Sequence, residues 1–183
     1  IAFGLMATWA LFERAMETDR LVPAAWGTVV AALTLACGPT GLAAVGVFLI
    51  SLPWVLGTIG RREAKLASIA PFMGAGMAVM APVFKDQTLA SVLEATAVRS
   101  EVGPAMSWFE EWSRYSVLFE QTVDGSLARR FPMFVLLLCI GLTLWWFARG
   151  GEKTRTAQRM MLIIGLSTFF LMFTPTKWTH HFG

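Results

Sequence analysis

Long apolar runs separated by short charged turns restrict this chain to very few folds. The runs extend from Ile1 to Phe12, Leu21 to Ala36, Leu42 to Ile59, Ala64 to Phe84, Phe131 to Phe147 and Met160 to Phe173. Backbone amides and carbonyls that enter hydrocarbon must be hydrogen-bonded within their own segment, and helices or closed barrels are the structures that achieve this. Stretches of this length with almost no charge read as helices, so the sequence predicts an all-α, polytopic transmembrane helix bundle. The composition agrees: 56% of residues are hydrophobic, eight are Trp, and the mean hydropathy is +0.60. A buried helical soluble domain is the alternative, and long runs nearly free of charge argue against it.

Several function classes fall away early. The formal net charge is +3, with basic residues spread over short loops, so there is no electrostatic footprint for nucleic acid. Cys37 and Cys139 both lie in apolar runs, where they pack as small hydrophobes more readily than they form a disulfide or bind metal. The apolar start at Ile1 and polar finish at Gly183 suggest a segment of a larger membrane domain, whose targeting is decided by the apolar segments themselves.

The turns organise the runs. Gly38-Pro39-Thr40-Gly41 breaks the chain between two apolar helices and predicts a helical hairpin. Arg61, Arg62 and Lys65 form one short basic loop, and Arg149, Lys153, Arg155 and Arg159 form another. Short loops rich in Lys and Arg mark the cytoplasmic side, and two crossings separate these two. That parity places the long insertion from Lys85 to Arg130 and the terminal stretch from Thr174 to Gly183 on the external face. Trp145-Trp146 suits an interfacial belt. Gly74, Ala75, Gly76 and Ala78 give either close helix packing or a lipid-lined groove.

The last apolar run is short. Met160 to Phe173 covers 14 positions, roughly 21 Å against a hydrocarbon core of roughly 30 Å. The polar residues after it are therefore expected at membrane depth, facing protein or a water-filled cavity. Lys177 supplies a fixed cation there, and His180 and His181 supply donors that can carry a proton. Trp178 can stack on a sugar or anchor at the interface. Two adjacent His with no neighbouring Cys, Asp or Glu make a poor metal site, and no cofactor is expected in this segment.

The external insertion carries further candidates. Leu89, Val92, Leu93 and Thr96 fit one helical face that Gly103-Pro104 ends. Ser107 and Glu110 form a Ser-x-x-Glu capping box ahead of Trp108, Trp112, Tyr115 and Phe119 at helical spacing. Such amphipathic helices either lie on the bilayer or offer aromatic faces to a sugar chain or isoprenoid lipid. Glu110 and Arg114 stand four apart in the favourable order. Asp86-Gln87 can bind sugar hydroxyls, or Asp86 can act as a base; helix capping is the alternative.

Together these residues carry a resemblance. Phe173-Thr174-Pro175-Thr176-Lys177-Trp178-Thr179-His180-His181-Phe182-Gly183, with Asp86-Gln87-Thr88-Leu89-Ala90, Gly103-Pro104, Ser107-Trp108-Phe109-Glu110-Glu111, Arg114-Tyr115 and Asp124-Gly125-Ser126-Leu127-Ala128-Arg129-Arg130-Phe131, resembles the mycobacterial arabinosyltransferases targeted by ethambutol. The resemblance is carried by Lys85 to Gly183, and the first eighty residues share mainly hydropathy. It implies the membrane domain of a C-type glycosyltransferase that moves arabinofuranose from decaprenyl-phosphoryl arabinose onto arabinogalactan or lipoarabinomannan outside the plasma membrane. The expected site residues are Lys177, Trp178, His180, His181, Asp86, Gln87, Arg114 and Tyr115, with ethambutol as an inhibitor of the pocket lined by Trp178 and His180. The family's catalytic base is an Asp of the first external loop, so none is assigned within these residues. Pairing with a second copy or a paralogue is expected. A multi-pass transporter built on the two Pro-containing breaks, and a non-catalytic scaffold subunit, are the competing readings.

Overall fold

The computed structural model describes residues 1–102, 106–116, 118–120, 127–152, 154–174 and 177, which form helices joined by turns, with no strand among them. The chain divides into two compact units, 1–101 and 102–183.

In the first unit, α1 (Ala2–Thr18), α2 (Leu21–Ala36) and α3 (Leu42–Gly60) pack on one another, and α4 (Lys65–Val83) packs chiefly on α2. The core is small: Phe12, Ala15, Ala24, Ala44 and Val47 are fully buried. Phe12 meets Phe48 edge-to-face at 6.0 Å between ring centroids, and Gly27 leaves room for the Phe12 ring. Buried hydroxyls bond back to their own helix: Thr8 to the Gly4 carbonyl at 2.7 Å, Thr34 to Val30 at 2.6 Å and Ser51 to Val47 at 2.8 Å. No hydroxyl of this set is left facing apolar surroundings.

The break after α2 is a 3-10 turn at Pro39–Gly41, preceded by Gly38 with φ 147°. Gly41 lies so close to the Thr34 carbonyl that a side chain there would strike backbone. The sequence reading ends the first helix at Phe12; α1 instead continues to Thr18, because Glu13, Arg14 and Glu17 are acceptable helix residues on a solvated face. Its stop is conformational: Asp19 adopts the left-handed region, φ 49° and ψ 39°. Asp19 also meets Arg61 at 3.4 Å in an exposed ion pair.

Of the small residues of α4, Ala75 is buried, whereas Gly74 and Ala78 stay exposed. Gly74 and Ala78, with Pro71, face Val22, Trp26 and Val29 of α2 across an apolar cavity of about 390 Å³. α5 (Leu89–Val102) follows, and Leu89 and Leu93 on it are exposed; Gly103-Pro104 lies outside the described residues.

The second unit contains a 3-10 turn at Trp108–Glu111 that leads into the short α6 (Trp112–Ser116), then α7 (Leu127–Ala148) and α8 (Arg155–Leu171). Two boundaries differ from the sequence reading. α7 begins within the stretch assigned to the external insertion, and α8 begins five residues before Met160, because the Thr154 hydroxyl accepts from the Ala157 amide at 3.2 Å and caps it. Arg155 and Arg159 therefore sit on α8 rather than in a loop, and Arg159 is buried. At 17 residues, α8 is roughly 26 Å long and still short of the hydrocarbon thickness.

Among the described residues, three helical stretches are long and apolar enough to cross a membrane: Leu42–Gly60, Lys65–Val83 and Arg130–Ala148. α1, α2 and α8 are shorter, at 17, 16 and 17 residues.

Gly41 offers a direct test of the hairpin. In the full-length protein, Gly41→Ala drives a methyl group into backbone that cannot rotate away, and overpacking of this kind costs about 1–3 kcal/mol. Thermal unfolding in detergent should show a lower midpoint for Gly41→Ala and no loss for Gly57→Ala, where nothing lies within 4 Å. Equal midpoints would remove the close approach from the account.

Candidate functional site

The site is built on the turn that opens at Ser107. The Ser107 amide donates to Glu110 Oε2 at 2.6 Å, which closes the turn and occupies the first of two consecutive glutamates. Glu111, one position on, is turned away from that cap and buried. The spacing of four in the sequence suggests that Glu110 pairs with Arg114; the structure corrects this, because Glu110 is held by the cap and Glu111 takes the arginine. Arg114 Nε lies 2.7 Å from Glu111 Oε1, and Nη2 lies 3.3 Å from Oε2.

Arg114 is fully buried. Its Nη2 also donates to the Leu171 carbonyl at 3.1 Å and to the Thr174 hydroxyl at 2.9 Å, while that hydroxyl donates to the same Leu171 carbonyl at 2.7 Å. Lys177 reaches the cluster from the other side. Its Nζ donates to the Met172 carbonyl at 2.6 Å and the Thr174 carbonyl at 3.1 Å, and stands 3.2 Å from Glu111 Oε2. An ammonium has three N–H bonds, so all three of Lys177 have acceptors.

The physical logic is that of a helix end without water. Amides of the following turn reach the Phe169, Phe170 and Leu171 carbonyls, and the dipole makes that end of α8 negative. Two cations at this end add further donors to Leu171, Met172 and Thr174, and one carboxylate between them limits their mutual repulsion. The three side chains together carry one net positive charge.

Tyr115, next to Arg114, is half-buried. Burial pushes its hydroxyl above the ordinary value of 10.0, the Glu111 carboxylate pushes it further in the same direction, and Arg114 opposes both. The phenol therefore stays a neutral donor at any working pH. The aromatic stripe before and after it points outward: Trp108, Trp112 and Phe119 are exposed. Arg130 at the start of α7 donates through Nη1 to the Leu118 carbonyl at 3.3 Å and through Nη2 to the Glu120 carbonyl.

Of the residues singled out in the sequence, Arg114, Tyr115 and Lys177 come together. Asp86 and Gln87 belong to the first unit, exposed beyond α4, where Gln87 Nε2 donates to the Val83 carbonyl at 2.7 Å and so caps that helix. Trp178, His180 and His181 lie outside the described residues. Glu111 and Thr174 are the partners that spacing did not single out. The signal for Glu111 was the doubled Glu110-Glu111: once a capping box takes the first, the second stands three before Arg114 and can pair with it. Among the described residues, no three His, Cys, Asp or Glu side chains gather into a metal-binding group.

The Tyr115 environment makes a pH prediction with a definite sign. A phenol whose folded pKa exceeds its unfolded value leaves the folded state with more bound protons above pH 10.0, so stability falls as pH rises through that range. Tyrosinate absorbance, taken as the difference between the full-length protein and its Tyr115→Phe variant, should titrate above pH 10.0. Titration of that difference below pH 10.0 would contradict the burial and charge arrangement.

The comparisons with known proteins agree with this architecture. The family model described as mycobacterial cell wall arabinan synthesis protein matches residues 1–183. Probable arabinosyltransferase C of Mycobacterium tuberculosis is 40% identical over 190 residues, covering 100% of this chain and 17% of that protein. Probable arabinosyltransferase B of Mycobacterium avium is 43% identical over 190 residues, covering 100% of this chain and 18% of that protein. The cryo-EM structure of arabinosyltransferase EmbB from Mycobacterium smegmatis superposes with a TM-score of 0.73 at 36% identity, over 98% of this chain and 16% of that one. The chain thus spans about a sixth of the length of its relatives. On these matches, the chain belongs to the family of mycobacterial cell wall arabinan synthesis proteins.

Proposed function

We propose that this chain is the donor-site segment of a membrane arabinosyltransferase. The enzyme moves arabinofuranose from decaprenyl-phosphoryl arabinose onto arabinogalactan or lipoarabinomannan, at the external face of the plasma membrane. The observation that carries the reading is the buried Glu111–Arg114–Lys177 cluster at the end of α8, directly before Trp178, His180 and His181 in the chain. As the bond between arabinose and phosphate breaks, negative charge grows on the departing phosphate. Preorganised positive charge and donors near it bind the transition state more tightly than the ground state.

The roles divide by chemistry. Lys177 and Arg114 contribute charge through space, since the hydrogens of the Lys177 ammonium already have acceptors. Direct hydrogen bonds to the phosphate come from His180, with His181 beside it, and Trp178 stacks on the sugar. Tyr115 supplies a neutral hydroxyl. The base that activates the arabinan acceptor comes from an Asp elsewhere in the full-length enzyme. Ethambutol occupies the pocket lined by Trp178 and His180, and the enzyme works as a dimer with a copy of itself or a paralogue. The short basic loop at Arg61 to Lys65 and the basic turn between α7 and α8 set the orientation that puts this site outside.

The test is arabinose transfer from a synthetic polyprenyl-phosphoryl arabinose to a short arabinan acceptor, in membranes containing the full-length protein. His180→Ala should lower transfer by about 10²-fold at matched abundance, the scale of removing one donor from a preorganised site. Trp145→Ala should leave it unchanged, because that indole is exposed beside Arg149 near the opposite end of α7. Wild-type transfer by His180→Ala would overturn the donor-site reading.

A further inference from the structure

We infer that Glu111 is a positioning residue for the donor segment, acting through Lys177 and Arg114 without touching substrate. The inference rests on the reading of Trp178 to His181 as the donor contact. Its basis is the way the carboxylate is held and what it holds. The capped turn fixes the backbone on which Glu111 stands. Oε1 takes Arg114 Nε at 2.7 Å, and Oε2 takes Lys177 Nζ at 3.2 Å and Arg114 Nη2 at 3.3 Å. Each oxygen is therefore committed, and the carboxylate itself is nearly out of contact with solvent.

Through those two cations the constraint reaches the chain's exit from α8. Arg114 grips Leu171 and Thr174, and Lys177 grips Met172 and Thr174. Lys177 is three residues ahead of His180, so the two Cα atoms lie within about 11 Å of each other at full extension. Fixing Lys177 therefore fixes the point from which the donor segment sets out. A misplacement of 1 Å at a reacting centre can cost about a hundredfold in rate.

The chemistry at position 111 must be a carboxylate of this length. An amide presents N–H to one of the two cations and leaves two positive charges buried together. An aspartate keeps the charge but is one methylene shorter, so it cannot reach both cations equally.

The experiment uses full-length enzyme in membranes, with Glu111→Gln, Glu111→Asp, Lys177→Met, the double variant Glu111→Gln/Lys177→Met, and His180→Ala alongside. Donor and acceptor parameters are measured separately at matched abundance. Glu111→Gln is expected to lower kcat/KM for the lipid donor by about tenfold or more, leave the acceptor KM in place, and be partly rescued by Glu111→Asp. The double variant is expected to lose less than the product of the two single losses, because part of the effect of Glu111→Gln runs through the Lys177 ammonium. Losses that multiply in the double variant, or equal changes in donor and acceptor parameters, overturn the inference in favour of general structural support. If Glu111→Gln does not accumulate, Glu111→Asp with and without Lys177→Met completes the same cycle. Wild-type transfer by His180→Ala defeats the donor-segment reading; a dead His180→Ala with a normal Glu111→Gln defeats only the role given to Glu111.

Discussion

A carboxylate shared by two buried cations at the end of a helix is the interaction on which the second unit depends. Its weight is clear from a comparison within the same chain. The exposed pair Asp19–Arg61, 3.4 Å apart, belongs to a class worth about 0–1 kcal/mol, since water screens both ions and the side chains lose entropy. Glu111, Arg114 and Lys177 are buried, and removing one member of such a group typically costs about 3–5 kcal/mol, because the remaining charges stay behind without water. The cluster therefore cannot lose a member quietly. That asymmetry, more than any net gain from the ion pairs, defines the geometry at the end of α8.

The two units cohere by different means. The first relies on close approach: glycine at positions 4, 27 and 41 brings α1, α2 and the turn before α3 together, and buried hydroxyls are satisfied by carbonyls one turn back. It needs almost no charge. The second relies on charge and capping, with Ser107 and Glu110 closing the turn before α6, Thr154 starting α8, and Arg114, Thr174 and Lys177 holding its end. α4 and α7 stand outside both schemes: 11% and 6% of their apolar spans are buried. Their surface is of the kind that a bilayer or further apolar helices cover.

Apolar run length and the Gly38-Pro39-Thr40-Gly41 break made the helical class and the α2–α3 hairpin readable, because both follow from backbone rules that hold regardless of neighbours. Boundaries were less readable where charge was taken for a turn. Glu13, Arg14 and Glu17 continue α1, and Arg155 and Arg159 lie inside α8, since charged residues end no helix and an αL residue or a capping hydroxyl does. The candidate cluster was legible only in part. The sequence names Arg114, Tyr115 and Lys177, which the structure brings together, but the partner of Arg114 was misread. The two glutamates at 110 and 111 differ by one position, and only the cap at Ser107 decides which of them turns inward.

The saturation of Lys177 changes how a cation in such a site acts. An ammonium whose three hydrogens are bound to Met172, Thr174 and Glu111 cannot also close on a phosphate without giving one of them up. Its charge nevertheless acts through space, and a site of low polarity screens it weakly. The favourable orientation is set when the chain folds, so no further reorganisation is needed as charge develops on a leaving group. A mobile lysine would have to lose that freedom during the reaction itself. On this argument the burial of Lys177 leaves its charge as a fixed positive field at the end of α8.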